Sequence, residues 1–286
     1  MKLLNFKPII KNDFEEDKNH FSLFWKECVE FNKTISKRED RKELRKYIEN
    51  SKKIFLEEYS QHIYNLITNN QKKYIHIDEL INLANNYVPF LNPSKEELHN
   101  EDKKMLKDKD GIETDQGLFL SSILAHQKEG EHLCHTMLLP SKLALEKEEE
   151  FNKNKKVQFD GASVEKFGKY VVVTLENEEY LNAEDERTLY PLEAAIDLAI
   201  LDKDSEICVL RGEKNKHPKY ANKRTFGAGI NLTHLYQGKI SFLWFIKRDM
   251  GAVNKVFRGI ATKDHNPENP LYPLQEKPWI ATLDTF

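Results

Sequence analysis

An α/β fold is predicted by a change of pattern partway along the chain. Up to about residue 156, apolar residues recur every three or four positions, the spacing of amphipathic helices. Beyond it, β-branched apolar runs at 170–175 and 207–210 bracket a helical pattern. Strand, helix, strand implies a right-handed crossover and a sheet covered on at least one face. The third observation is the small-residue turn Phe226-Gly-Ala-Gly229, between the second strand and an amphipathic pattern at 240–260. Such a turn brings bare backbone N–H groups to a surface, and glycine lets that backbone approach a ligand.

The helical half justifies itself element by element. Phe21, Phe24, Cys28 and Phe31 form one stripe, and Phe55, Tyr59, Ile63 and Leu66 another; both read as helix–helix core. Leu91-Asn-Pro-Ser94 interrupts the pattern. Ser94-Lys-Glu-Glu97 then has the form of a capping box that starts the next helix. Residues 103–111 form a charge-rich turn, and 118–125 resume an apolar run. His126, His132, Cys134 and His135 are the one cluster that raises metal binding. They lack a second well-spaced pair, and neighbours on a regular element diverge by about 100° or more, so structural use is expected. Residues 146–156 are polar and read as an exposed helix end or a connector. The domain boundary is placed there, giving a helical domain over 1–156 and an α/β domain over 157–286.

In the second half, Leu189, Leu192, Ile196 and Ile200 share a helix face, with Pro191 in what reads as a first turn. Leu243, Ile246, Met250, Val253, Phe257 and Ile260 are expected to bury one face of the last helix. Residues 278–283 read as a further strand.

Composition narrows the function classes. The chain has 286 residues, 39% of them hydrophobic and 32% charged, which suits a globular protein with a heavily solvated surface. A formal net charge of −3 gives no general drive toward nucleic acid or a membrane surface. The three cysteines, Cys28, Cys134 and Cys208, sit in apolar neighbourhoods and read as reduced thiols of a cytoplasmic protein. The N-terminus lacks the apolar run of a secretory signal, and no apolar segment is long enough to span a bilayer.

Several separated motifs occur in a telling order: Asp110-Gly-Ile-Glu-Thr-Asp-Gln-Gly117, His132-Leu-Cys-His-Thr-Met-Leu-Leu-Pro140, Leu181-Asn-Ala-Glu-Asp185, His217-Pro-Lys-Tyr220, Ala228-Gly-Ile-Asn-Leu232, Lys247-Arg-Asp-Met-Gly251 and Lys277-Pro-Trp-Ile-Ala-Thr282. Together they resemble the crotonase (enoyl-CoA hydratase/isomerase) superfamily, and within it the cofactor-independent 3,5-dihydroxyphenylacetyl-CoA 1,2-dioxygenases. The resemblance implies a crotonase-type ββα domain after the helical one. It implies that the backbone N–H of Ile230 is one oxyanion donor. Glu184 would contact the ring hydroxyls, and Arg248 would be a second substrate-contacting group. Glu178, His217, Pro218, Lys219, Tyr220 and Arg224 would hold the CoA portion, and Ala228, Gly229, Asn231, Leu232 and Thr233 would join them in binding the substrate or its CoA.

The residues themselves leave alternatives open. Glu184 also suits a helix N-terminus, where the dipole favours an acid. Arg248 falls opposite the predicted stripe, in line with Trp244, facing either solvent or a second buried surface. Lys219 and Arg224 also fit ordinary surface charge. Asn231 stands where many hydratases carry Asp, and it can cap the next helix.

The activity implied by the resemblance is dioxygenation of an aryl-acetyl-CoA to an aryl glyoxylate and CoA. It needs no metal, flavin or nicotinamide; CoA belongs to the substrate and O2 is co-substrate. A trimer or a pair of trimers is implied, with no nucleic-acid or membrane partner. A hydratase or isomerase, and a truncated inactive paralogue, are the alternatives. The crotonase domain is expected to be incomplete, because the chain ends at Phe286 before the glycine-rich segment that supplies the second oxyanion donor. A fragment or truncated product with little or no turnover is therefore expected.

Overall fold

The computed structural model describes residues 8–216, 218–221, 223–269 and 274–283. The chain forms two compact units, Met1–Leu133 and Cys134–Phe286.

The first unit is helical: α1 (Phe14–Asn32), α2 (Arg38–Thr68), α3 (Ile77–Tyr87), α4 (Lys95–Asp102), α5 (Thr114–Leu124) and the start of α6 (Gln127–Leu138). Helix α1 is capped by the Asp13 side chain, which accepts from Glu16 N. The expected capping box opens α4, with Ser94 and Glu97 bonding each other's backbone N–H. The aromatic stripe of α2 packs as expected, with one correction. Leu66 is 39% exposed, and Ile67 takes the buried place, because the stripe advances by four through Phe55, Tyr59 and Ile63. His126 Nε2 lies 3.2 Å from Ser60 Oγ, and His132 Nδ1 lies 2.7 Å from Tyr64 Oη. Among the described residues, no group of three or more His, Cys, Asp and Glu is placed to hold a metal ion.

A buried ion cluster lies inside this unit. Lys52 Nζ donates to Asp115 Oδ2 (2.6 Å) and to Leu91 O (2.7 Å), and Arg45 forks onto the same carboxylate. Burial alone would raise the Asp115 pKa, but Lys52 and Arg45 outweigh it and hold it below the usual carboxylate range. A carboxyl whose pKa folding depresses stabilises above its unfolded value of about 3.9; that contribution is lost as pH falls through the folded value. Asp115→Asn should therefore lose about 1.5–3 kcal/mol at neutral pH. It should also flatten the acid-induced fall in stability below about pH 4, as read by urea unfolding across pH. An unchanged acid limb would refute the assignment.

The second unit holds α7 (Lys142–Asn154), β1 (Lys156–Gln158), β2 (Ala162–Phe167), β3 (Tyr170–Leu175), α8 (Glu186–Leu201), β4 (Ile207–Gly212), α9 (Leu232–Tyr236), α10 (Phe242–Arg248), α11 (Asn254–Arg258) and β5 (Trp279–Ala281). The sheet order is β1-β2-β3-β4-β5. Strands β1, β2 and β3 pair antiparallel, and β3, β4 and β5 pair parallel, so the fold is α/β with a mixed sheet. The change from helix to strand falls at 154–156, and α7, upstream of it, belongs to this unit. Strands β1 and β2 were not expected from the sequence. Their residues are half polar, and only Gly168, at φ 59°, marks the hairpin into β3.

Helix α8 is the crossover between β3 and β4. Its expected face is buried: Leu189, Leu192, Ile196 and Ile200 are each under 9% exposed. Pro191 is not in the first turn. Asp185 caps the helix, with its side chain accepting from Arg187 N and Thr188 Oγ1 accepting from Asp185 N, so the helix begins earlier than the apolar pattern shows.

The pattern at 240–260 needs a larger correction. A π-helical turn, Asp249–Val253, separates α10 from α11. Its extra residue rotates everything after it. Val253 is 42% and Phe257 84% exposed, whereas Trp244, Lys247, Gly251, Ala252 and Lys255 are buried. Among the described residues, no helix is long and apolar enough to cross a membrane.

Candidate functional site

The site forms where two loops leave the parallel strands. One follows β3, passes through a 3-10 turn (Glu178–Tyr180) and two left-handed residues, Leu181 and Asn182, and reaches Glu184. The other follows β4 and returns through 224–231. Asn182 ties them together. It is fully buried, and its Nδ2 donates to Glu213 O (2.7 Å) and Thr225 O (2.8 Å). Gly212 allows this approach, since a Cβ there would lie 1.8 Å from Thr225 O.

Glu184 and Ile230 then form an isolated parallel bridge. Glu184 N donates to Gly229 O, and Asn231 N donates to Glu184 O, both at 2.8 Å. In a trans peptide the N–H points opposite to the C=O of its own plane. Gly229 O faces Glu184, so the Ile230 N–H faces away from it. Among the described residues, it has no acceptor. Gly229 sits at φ 79°, with nothing within 4 Å of its missing Cβ, so it is there for conformation and not for close packing.

Beside this bridge lies a cavity of about 370 Å³. Its apolar walls come from Leu175 and Leu210 of the sheet, Leu192 and Ile196 of α8, and Ala252 and Val256. Gly227 and Gly229 border it. Its charged residues include Glu184 and Arg248, which form a two-pronged pair: Nε to Oε2 and Nη2 to Oε1, each 2.7 Å. The Arg248 guanidinium also lies 5.9 Å from the Trp244 ring centroid. Hydrogen bonding to Glu184 holds its pKa above the usual arginine value. Of the two surfaces open to Arg248, the structure provides the second: Trp244 is 1% exposed, and the Arg248 side chain reaches the cavity.

The remaining expected residues are more dispersed. Ala228 N donates to Leu181 O at 3.2 Å. Asn231 caps α9, accepting from His234 N, and Leu232 and Thr233 are exposed at the start of that helix. Glu178 lies 3.4 Å from Lys216 Nζ. Arg224 bonds Glu213 (3.0 Å) and Gly212 O (3.2 Å). Pro218, Lys219 and Tyr220 form a 3-10 turn, with Lys219 Nζ 5.1 Å from the Tyr220 ring centroid. His217 lies outside the described residues. Asp185, Asn177 and His234, which surround the bridge, carry no sequence signal beyond the Asp-x-x-Thr cap of α8.

No protein-family model matches the chain. Over 233 residues, 81% of its length, it is 36% identical to the (3,5-dihydroxyphenyl)acetyl-CoA 1,2-dioxygenase of Amycolatopsis orientalis. The match takes in 53% of that protein, so the chain spans about half the length of the curated relative it matches.

Proposed function

We propose that the second unit is the thioester-binding part of a crotonase-type acyl-CoA enzyme, and that its reaction is cofactor-independent dioxygenation of an aryl-acetyl-CoA such as 3,5-dihydroxyphenylacetyl-CoA. The observation that carries this reading is the Ile230 N–H, without an acceptor among the described residues, next to Gly229 on the wall of an apolar cavity that is lined by a carboxylate–guanidinium pair. The name of the relative supports the substrate class.

In this reading the thioester oxygen accepts from Ile230 N–H. Loss of the α-proton moves negative charge onto that oxygen, and a preorganised donor is worth about 3 kcal/mol there. The aryl ring occupies the apolar cavity. Glu184 accepts from one ring hydroxyl and Arg248 donates to another, which fixes the ring's rotation. Apolar walls exclude the water that would reprotonate the enolate. The enolate carbon reacts with O2, and the C–S bond breaks. The balance is ArCH2–CO–SCoA plus O2 giving ArCO–COOH plus HSCoA, with no external reductant. In this reading Lys219, Tyr220 and Arg224 hold the CoA portion, and assembly as a trimer or a pair of trimers accompanies it.

The test separates enolate formation from oxygenation. The chain is incubated anaerobically with 3,5-dihydroxyphenylacetyl-CoA in D2O, and deuterium at the α-carbon is followed by mass spectrometry. Oxygen uptake is then measured aerobically, with crotonyl-CoA hydration as the control. Exchange above the buffer rate is the expected result, with little or no net oxygen uptake. Hydration of crotonyl-CoA without exchange would refute the dioxygenase reading, and silence in every arm would refute the thioester reading.

A further inference from the structure

We infer that Asp185 is a positioning residue that sets the direction of the Ile230 N–H, an inference that rests on the thioester reading above. Glu184 and Asp185 are neighbours on extended backbone, so their side chains diverge. Glu184 reaches the cavity and Arg248. Asp185 enters the protein on the other side and is 2% exposed.

Its carboxylate gathers donors from three separate places. Oδ2 accepts from Asn177 Nδ2 (3.0 Å), just past β3, and from Asn231 Nδ2 (3.0 Å), the residue after Ile230. It also lies 2.9 Å from His234 Nδ1 on α9. Oδ1 accepts from Arg187 N (3.1 Å) at the start of α8. Three of these contacts share Oδ2 and one reaches Oδ1; an ionised carboxylate only accepts, so His234 Nδ1 faces it as a donor.

The mechanical consequence follows from the neighbouring peptide planes. The plane containing the Ile230 N–H is held at its far edge by the Glu184 N to Gly229 O bond, and the next plane by the Asn231 N to Glu184 O bond. Both bonds join the two segments that Asp185 clamps. The hinge at the upstream end of the first plane is Gly229, whose left-handed backbone has an open surround and resists rotation least. With the clamp loosened, these two bonds open more often and the N–H swings off the thioester oxygen.

The variant is Asp185→Asn, which keeps the size but offers one acceptor oxygen in place of two and turns an amide toward other donors. Two readouts are taken on the full chain. Amide hydrogen exchange should show about ten-fold or greater loss of protection at Glu184 and Asn231, with the β3 amides Val172 and Val173 within about three-fold of the parent. With 3,5-dihydroxyphenylacetyl-CoA in D2O, the maximal α-proton exchange rate should fall by about ten-fold or more, with the half-saturating concentration within about three-fold. His234→Gln, at the more exposed rim of the clamp, should show the same pattern at smaller amplitude if Asp185→Asn folds poorly. Unchanged protection at Glu184 and Asn231, or equal loss throughout β3, would overturn the inference. Failure of the parent chain to exchange the α-proton would instead remove the thioester reading, and the amide data alone would then decide whether Asp185 holds the Ile230 plane.

Discussion

Ile230→Pro should slow α-proton exchange from the dihydroxyphenylacetyl thioester by about 10²–10³-fold. Proline deletes the one atom the proposal needs, the amide hydrogen. At most positions it would also remove a structural bond. Here the Ile230 N–H makes none among the described residues, so the ladder with Glu184 should survive. Proline also pushes its predecessor toward extended backbone, whereas Gly229 sits at φ 79°, so the fold of the variant is checked before its rate is read. The side chain needs its own control, because Ile230 packs against the cluster of Leu189, Ile240 and Trp244. Ile230→Val keeps the N–H and trims one methylene, for about 0.5–1.5 kcal/mol of stability. It should exchange at nearly the parent rate. Equal rates for the parent and the proline variant, with both folded by urea unfolding, would show that this amide stabilises no oxyanion.

Lys255→Met is the second large effect, and it is on stability: a loss of about 3–5 kcal/mol in urea unfolding. Lys255 is fully buried. Its Nζ donates to Glu193 Oε1 (2.7 Å) and to Asp197 Oδ2 (3.1 Å), both on α8. Burial would lower its pKa, but Asp197 and Glu193 outweigh burial and hold it above the usual lysine value. Burial, then Glu193, raises the Asp197 pKa. Removing the cation leaves two carboxylates without compensation. Because the lysine pKa is raised by folding, its contribution is full below the unfolded value of about 10.4 and is lost as pH rises through the folded value. The gap between parent and variant should therefore narrow above about pH 10. Replacing Glu193 and Asp197 by Leu in the same variant should recover much of the loss, since apolar packing commonly substitutes for a buried ion group. A loss under about 1 kcal/mol for Lys255→Met would contradict the assignment.

The same cluster bears on the site. The buried face of α11 faces α8 because of the π turn, and Gly251 in that turn lies against Glu193; a Cβ there would come within 2.8 Å of Glu193 Oε1. The charged anchor at Lys255 thus holds α11, which the π turn joins to Arg248 at the end of α10. Binding of the ring portion of the thioester should weaken in Lys255→Met as well.

What could be read in the sequence follows from local physics. Periodicities of 3.6 and 2 distinguish helix from strand wherever one face is buried, so the helical half, the β3–α8–β4 crossover and the strand at 279–281 were all accessible. The Ser94–Glu97 capping box was accessible because its bonds span three residues. Gly227 and Gly229 marked a turn for the same kind of reason. Strands β1 and β2 were not accessible, because β1 has only three residues and the alternation of β2 breaks at Glu165-Lys166, too little of a period-2 pattern to read.

Tertiary structure alone decided the rest. A π turn has no reliable local signature, yet it moved Val253 and Phe257 outward and Lys255 inward. The Glu184–Arg248 pair spans 64 residues of sequence, and the Asp185 clamp joins residues as far apart as Asn177 and His234. By itself, the sequence determined which segments become helix, strand and turn, since those choices depend on neighbours a few residues away. Only the folded chain determined which polar groups converge around the Glu184–Ile230 bridge, because that depends on how the β3 and β4 loops pack, and packing is set by contacts between residues distant in sequence.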